Sequence, residues 1–307
     1  MDRRRWVNHQ SLTWLGGIAA ALIVAAGIGV AGSFTGERIG GIPAFAICGL
    51  IAFAVQWIVF VPAYLRQTEH YFDLTGSVTY IVLAWVGWSV GGDGRAWLLA
   101  GLVTVWAVRL GSFLFGRVRE AGGDRRFDAI KPDFMQFLMT WTLQGLWVFL
   151  TLSPALAAMT STDGRPLGPV AAIGSLFWLA GFAFEVTADA QKRRFRAEAA
   201  NRDRFITTGL WSWSQHPNYF GEIVLWCGIA IIAAPVLSGW QWATMISPVF
   251  VWLLLTRISG IRMLDARARR RWGDDAAYQS YRARTPRLVP RPPAWGSAAM
   301  GGGRDKG

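Results

Sequence analysis

Residues 41–65 read GIPAFAICGLIAFAVQWIVFVPAYL, and no charged side chain interrupts them. A helix that crosses a bilayer needs about 20 predominantly apolar residues, so this stretch alone predicts a spanning helix. Working outward, seven more apolar runs appear: Leu12–Gly32, Gly76–Val90, Ala96–Gly116, Phe134–Met159, Pro169–Val186, Tyr219–Ser238 and Gln241–Leu255. The runs from Gly76 and Pro169 are short for a span, so their ends are the least defined. Arg3-Arg4-Arg5 before the first run also fits a cleaved leader. That run is longer than a usual signal core and further spans follow it, so an uncleaved first helix is expected.

Composition agrees with the runs. Of 307 residues, 53% are hydrophobic and 16% charged, and mean hydropathy is +0.30. Soluble domains carry about 25% charged residues. A net charge of +12 would suit a nucleic-acid partner, but the charges lie between the apolar runs, so no nucleic acid is expected. With the N-terminus inside, all of the 31 Lys and Arg except Arg38, Arg95, Arg109 and Arg165 fall in inside segments. This asymmetry predicts about eight spans, or seven, with both termini cytoplasmic. The expected fold is therefore an all-α polytopic membrane bundle. Its expected division is N-terminal helices over 1–70, a catalytic membrane domain over 71–290 and a disordered Pro/Gly-rich tail over 291–307. Cys48 and Cys227 both sit in apolar runs and read as packing residues. Three His and no Cys/His cluster give no pattern for a zinc site.

Polar side chains at membrane depth are costly and mark function. The densest set lies in Gly209–Glu222, GLWSWSQHPNYFGE. Pro217 suits the first turn of a helix, which puts Asn218 and Glu222 one turn apart on a shared face. The free N–H groups of such a helix start also favour an anion. Upstream, Glu185, Asp189, Lys192 or Arg193, and Arg196 recur at helical spacing, with acids deep and cations shallow. Carboxylates accept from ribose hydroxyls or a carboxamide, and the arginine fork suits phosphate. The alternative is a juxtamembrane helix with internal ion pairs. Gln56 is a lone amide in its run and reads first as an interhelical hydrogen bond. Asp73-Leu74-Thr75-Gly76-Ser77 resembles a capped helix start. Arg109, near the inside end of its run, either snorkels to headgroups or points into the bundle. The loop from Gly116 to Asp128 alternates Arg with Asp and Glu, unlike a simple lipid-binding run.

These segments, Asp73–Ser77, Asp124–Asp128, Glu185–Arg196 and Ser214–Glu222, resemble the steroid 5-alpha-reductase-like family of polytopic membrane proteins. The branch is its bacterial, uncharacterised reductase-like one, DUF1295, and the resemblance covers roughly Tyr71 to Pro290. The Ala190–Arg196 and His216–Glu222 pieces are similar to those of sterol C14 and C7 reductases. The resemblance implies an NADPH site open to the cytosol. On this chain it implies cofactor contacts from Arg109, Arg117, Asp189, Arg196, Arg204, His216, Asn218, Tyr219, Glu222 and Arg257. It also implies hydride transfer to an electron-poor C=C bond of a hydrophobic lipid, steroid-like or isoprenoid, that enters from the bilayer. Gln56, Asp73 and Tyr219 are the candidate catalytic residues.

The sequence departs from the pattern at two places. Gln215 stands where many relatives have Arg, and the acid–Tyr pair that handles a steroid carbonyl is not evident, with Gln56 and Trp106 near those places. The alternative enzyme class is an S-adenosylmethionine-dependent methyltransferase of the isoprenylcysteine carboxyl methyltransferase type, which the stretch Trp272–Tyr281 resembles. A non-enzymatic membrane scaffold is the third reading. Membrane lipids are the expected surroundings, with no obligatory protein partner, in a bacterial cytoplasmic (inner) membrane.

Overall fold

The computed structural model describes residues 3–292. The tail expected from residue 291 lies, from residue 293 onward, outside the described residues. Ten α-helices follow in order: α1 (Arg3–Gly32), α2 (Ala44–Leu65), α3 (Phe72–Gly91), α4 (Gly94–Ala121), α5 (Phe134–Met159), α6 (Pro169–Ala197), α7 (Pro217–Ala233), α8 (Ile246–Leu253), α9 (Ile261–Trp272) and α10 (Ala276–Arg284). Between α1 and α2 a two-residue hairpin pairs β1 (Arg38–Ile39) antiparallel with β2 (Ile42–Pro43). Among the described residues, eight helical segments are long and apolar enough to cross a membrane, matching the eight runs. The protein is an integral membrane helical bundle.

The helices outrun the apolar runs at their polar ends. The third begins at Phe72 rather than Gly76, and the sixth continues to Ala197, through the charged stripe. A helix keeps its backbone hydrogen bonds whatever side chains it carries, so apolarity marks the span and not the helix end. The eighth span, Gly239–Trp272, is composite. It runs through a 3-10 segment (Gly239–Met245), α8, a π-helical turn (Leu254–Ile258) and α9. Side-chain caps fix several starts. Asp93 accepts from the Ala96 amide at 2.7 Å and Asp133 from the Gln136 amide at 2.9 Å.

The described residues divide into two compact units. The first runs up to Leu176 and includes Trp226–Phe250; the second comprises Phe177–Leu225 and the chain from Val251 onward. In the first, α5 is the central element, 83% buried along its most apolar window. It packs against α1, α2 and α3. Its Phe137, Trp141, Phe149, Leu152 and Leu156 are almost wholly enclosed. Arg95, read from the sequence as a loop charge, is buried here. Its guanidinium donates to the carbonyls of Ile232 at 2.5 Å and Pro166 at 3.2 Å. At one end of this unit the buried Glu69 accepts from Lys131 Nζ at 2.5 Å and from the Asp124 amide at 2.9 Å. The charged loop after α4 is thereby pinned to the turn before α3.

In the second unit, α6 and α7 meet backbone to backbone. A Cβ added at Gly221 would lie 2.5 Å from the Gly181 carbonyl oxygen and 2.6 Å from the Glu185 nitrogen. Lipid tails are as apolar as leucine, so helices associate in a membrane through such close backbone approach. Gly221→Val should therefore cost about 1–3 kcal/mol through overpacking and lower the thermal midpoint in detergent. A midpoint equal to that of the native chain would show that the crossing is not tight.

The Glu69 cluster predicts a pH dependence. Burial raises the Glu69 carboxyl, but Lys131 and the Asp124 amide outweigh it and hold the group below its ordinary value of 4.5. A depressed folded pKa stabilises above the unfolded value, and that stabilisation is lost as pH falls through the folded one. Glu69→Gln should melt earlier than the native chain at neutral pH, and the gap should close below about pH 4.5. A gap that stays constant with pH would refute the ion pair's contribution.

Candidate functional site

The charged stripe lies on the last turns of α6. Glu185 and Asp189 are buried, Lys192 is half-buried and Arg196 is exposed. Because α7 crosses α6 at Gly181 and Gly221, its first turn comes alongside. Asn218 Nδ2 donates to Asp189 Oδ1 at 3.2 Å. Glu222, one turn further along α7, is also buried. Three of the expected cofactor residues, Asp189, Asn218 and Glu222, thus share one helix crossing.

The loop between these helices folds back on α6. Gln191 Oε1 accepts from the Leu210 amide at 2.9 Å, and Trp211 Nε1 donates to the Ala188 carbonyl at 3.0 Å. Lys192 Nζ sits over the Trp211 ring, 4.4 Å from its centroid. Gly209 adopts φ +62°, and a Cβ there would fall 2.6 Å from the Gln191 amide, so the turn requires glycine. Arg204 is exposed on this loop, and Arg257 is exposed on the π-helical turn. Such turns interrupt α-helices frequently at functional positions.

His216, just before α7, is 7% exposed. Its Nε2 lies 3.3 Å from Asp265 Oδ1 on α9, and Asp265 Oδ2 accepts from Arg287 Nη2 at 3.0 Å. The Tyr219 ring stacks on the imidazole at 5.8 Å and 12°. Burial lowers the His216 pKa below 6.5, with Lys192 and Arg287 adding to it and Asp265 opposing. The segment after α10 straps this corner. The Gln215 amide donates to the Pro286 carbonyl at 2.9 Å, Ser214 Oγ to Leu288 at 2.7 Å, and Gln215 Nε2 to Thr285 at 2.6 Å. Tyr281 hydroxyl donates to the Trp211 carbonyl at 2.7 Å, and burial pushes that phenol's pKa up.

Asp265 and Arg287 were not among the residues expected from sequence. The available signal was that Asp265 is the lone acid between Arg257 and Asp274, in a stretch rich in arginine. The arginines of α9 are exposed while Asp265 is buried.

The remaining expected residues belong to the first unit. Gln56 is fully buried and donates from Nε2 to Thr79 Oγ1 at 2.8 Å, joining α2 to α3. Asp73, in the first turn of α3, faces Arg117 of α4 at 3.8 Å. It lines a cleft with Gly76, Ser77, Leu110, Leu114, Gln144 and Trp147. Gln144 also went unread in the sequence. Its Nε2 donates to the Phe72 carbonyl at 2.8 Å, and its Oε1 is buried without a hydrogen-bond partner among the described residues. Arg109 is half-buried, with its guanidinium 5.3 Å from the Phe113 ring centroid.

Residues 59–285 match the family model described as "Protein of unknown function (DUF1295)". An uncharacterized protein of Schizosaccharomyces pombe is 26% identical over 197 residues, covering 53% of this chain and 54% of that protein. The 3-oxo-5-alpha-steroid 4-dehydrogenase 1 of Bos taurus is 34% identical over 70 residues, 23% of this chain and 27% of the bovine one. The chain thus spans about half the length of the fungal relative and about a quarter of the bovine one. With the match covering most of its length, the chain belongs to the steroid 5-alpha-reductase-like DUF1295 family of membrane proteins.

Proposed function

We propose that the protein is an NADPH-dependent membrane reductase that saturates a C=C bond, of enone type, in a hydrophobic steroid-like or isoprenoid lipid. The observation that carries this reading is the α6–α7 crossing, where the buried Asp189 and Glu222 and the half-buried Asn218 come together, with the exposed Arg196 at the end of α6 and the exposed Arg204 on the loop that follows it. Buried acceptors suit ribose hydroxyls and a carboxamide, and exposed arginines suit phosphates. The donor set fits a dinucleotide with charged and neutral ends. The similarity to the bovine steroid dehydrogenase supports the reaction class.

When bound, the cofactor supplies the hydride; the protein supplies binding, orientation and electrostatics. Asp189 and Glu222 would accept from ribose, and Asn218, held by Asp189, would present its amide to the nicotinamide end. Arg196, Arg204 and Arg257 would hold phosphates, and Tyr219 keeps the His216 ring in plane. In the first unit, Asp73, Ser77 and Gln144 share a narrow cleft with Leu110, Leu114 and Trp147. The lipid enters from the bilayer, in a bacterial cytoplasmic membrane with both termini on the cytosolic side.

Titrating purified protein with NADPH and, separately, S-adenosylmethionine tests the reading through Trp fluorescence and thermal shift. NADPH should bind, and Asn218→Ala, Glu222→Ala and the Arg196→Ala/Arg204→Ala pair should each weaken it about 10- to 100-fold, since hydrogen bonds to charged groups contribute about 1.5–3 kcal/mol. The arginine effect should shrink at high salt. Binding of S-adenosylmethionine alone would move the chain to the methyltransferases, and binding of neither would leave a scaffold.

Topology is tested separately. A periplasmic reporter fused at Gly92, between α3 and α4, should be active, and a cytosolic reporter at Arg291 should fluoresce. The opposite pattern would reverse the orientation.

A further inference from the structure

Among the polar groups of the second unit, His216 stands out because one ring nitrogen is engaged and the other is not. Nε2 meets Asp265 Oδ1 at 3.3 Å, whereas Nδ1 is buried with no hydrogen-bond partner among the described residues. The residue is 93% buried, counting from its 7% exposure. Buried polar atoms left unpaired are uncommon and call for a reason.

Chemistry decides which nitrogen carries the proton. An ionised carboxylate only accepts, so the nitrogen facing Asp265 must donate. Asp265 stays ionised because its second oxygen accepts from Arg287 at 3.0 Å. The groups facing the imidazole are Asp265 from α9, Lys192 from α6, Arg287 from the strap and the Tyr219 ring from α7. Burial and two cations against one acid favour the neutral ring. A neutral ring protonated at Nε2 leaves Nδ1 as a bare acceptor.

We propose that Asp265 and Arg287 are positioning residues that lock His216 as its Nε2–H tautomer, presenting Nδ1 as a buried acceptor for an amide N–H or sugar hydroxyl of the bound ligand. Second-sphere partners fix a histidine's tautomer in the same way at metal sites, by bonding the nitrogen that is not used. The strap is built for this. The carbonyls on either side of Arg287, those of Pro286 and Leu288, are bonded to Gln215 and Ser214, so the guanidinium is delivered to Asp265 by backbone contacts independent of it. Stacking by Tyr219 fixes the ring plane. The nature of the ligand rests on the nucleotide reading above; the tautomer lock does not.

The chain has three histidines, so nitrogen-15 histidine labelling in detergent, with His216→Gln for assignment, resolves this ring. At pH 7 two-bond proton–nitrogen correlation should show a neutral Nε2–H ring. Asp265→Asn should give a mixture of tautomers and about a tenfold loss of NADPH affinity, partly restored by Asp265→Glu. Arg287→Gln removes a cation beside the ring and so raises its pKa. NADPH binding, lost as pH falls and Nδ1 gains a proton, should then be lost at a higher pH than in the native chain. A merely structural role would lower stability without moving that profile. A charged ring or the Nδ1–H tautomer at pH 7 overturns the proposal, as does a tautomer unchanged in Asp265→Asn. A native chain with the expected tautomer that binds no NADPH supports the lock and overturns the nucleotide reading instead.

Discussion

The approach of Gly181 to Gly221 is the constraint on which the second unit depends. A bilayer gives helices no hydrophobic reason to prefer one another over lipid, so association has to come from packing and hydrogen bonding at short range. Two glycines remove the side chains that would hold the backbones apart, and the register follows. One turn beyond Gly181 comes Glu185, and two turns beyond comes Asp189. Adjacent to Gly221 is Glu222, and three residues before it is Asn218. The Asp189–Asn218 hydrogen bond is available because the crossing is tight there. The polar groups, in turn, tolerate burial because the crossing supplies partners.

Charge is sorted by depth along the same elements. On α6 the acids Glu185 and Asp189 are buried and the cations from Arg193 outward are exposed; on α9 the single acid is buried and the arginines are exposed. Long cationic side chains reach water from near a helix end, whereas short acids cannot. Buried acids therefore need partners inside the protein. Asp189 has Asn218, and Asp265 has His216 and Arg287. In the first unit, Glu69 has Lys131 and a backbone amide.

How much of this the sequence discloses depends on range. The eight spans were legible because each is a local property of about 20 consecutive residues. The Asp189, Asn218 and Glu222 set was legible because helical spacing put each on a polar face near a helix end. Asp265, Arg287 and Gln144 were not legible, since their roles arise from partners far away in the chain: His216 lies 49 residues from Asp265, and Phe72 lies 72 from Gln144. Gln215 is instructive in another way. Its departure from the family pattern removes a positive charge, yet its amide bonds the Arg282 and Thr285 carbonyls and so holds the strap. A residue that reads as a departure from the family pattern has a structural task.

The charge arrangement also bears on the ligand proposed for the second unit. The strap brings Arg287 to Asp265, and Lys192, Arg196 and Arg204 lie on the α6 end and the loop that follows it. The exposed Arg196 and Arg204 and the half-buried Lys192 add to one positive potential, which physiological salt screens over about 8 Å. They would repel a sulfonium and attract phosphates. The buried groups are mostly acceptors: Asp189, Glu222 and, with Nε2 protonated, His216 Nδ1. Acceptors in a water-poor interior need donors, and hydroxyls and amide N–H groups can supply them. An anionic end outside and neutral donors inside would suit the dinucleotide proposed above. It differs from that of a compact cation, whose charge would have to pass the arginines to reach the acids.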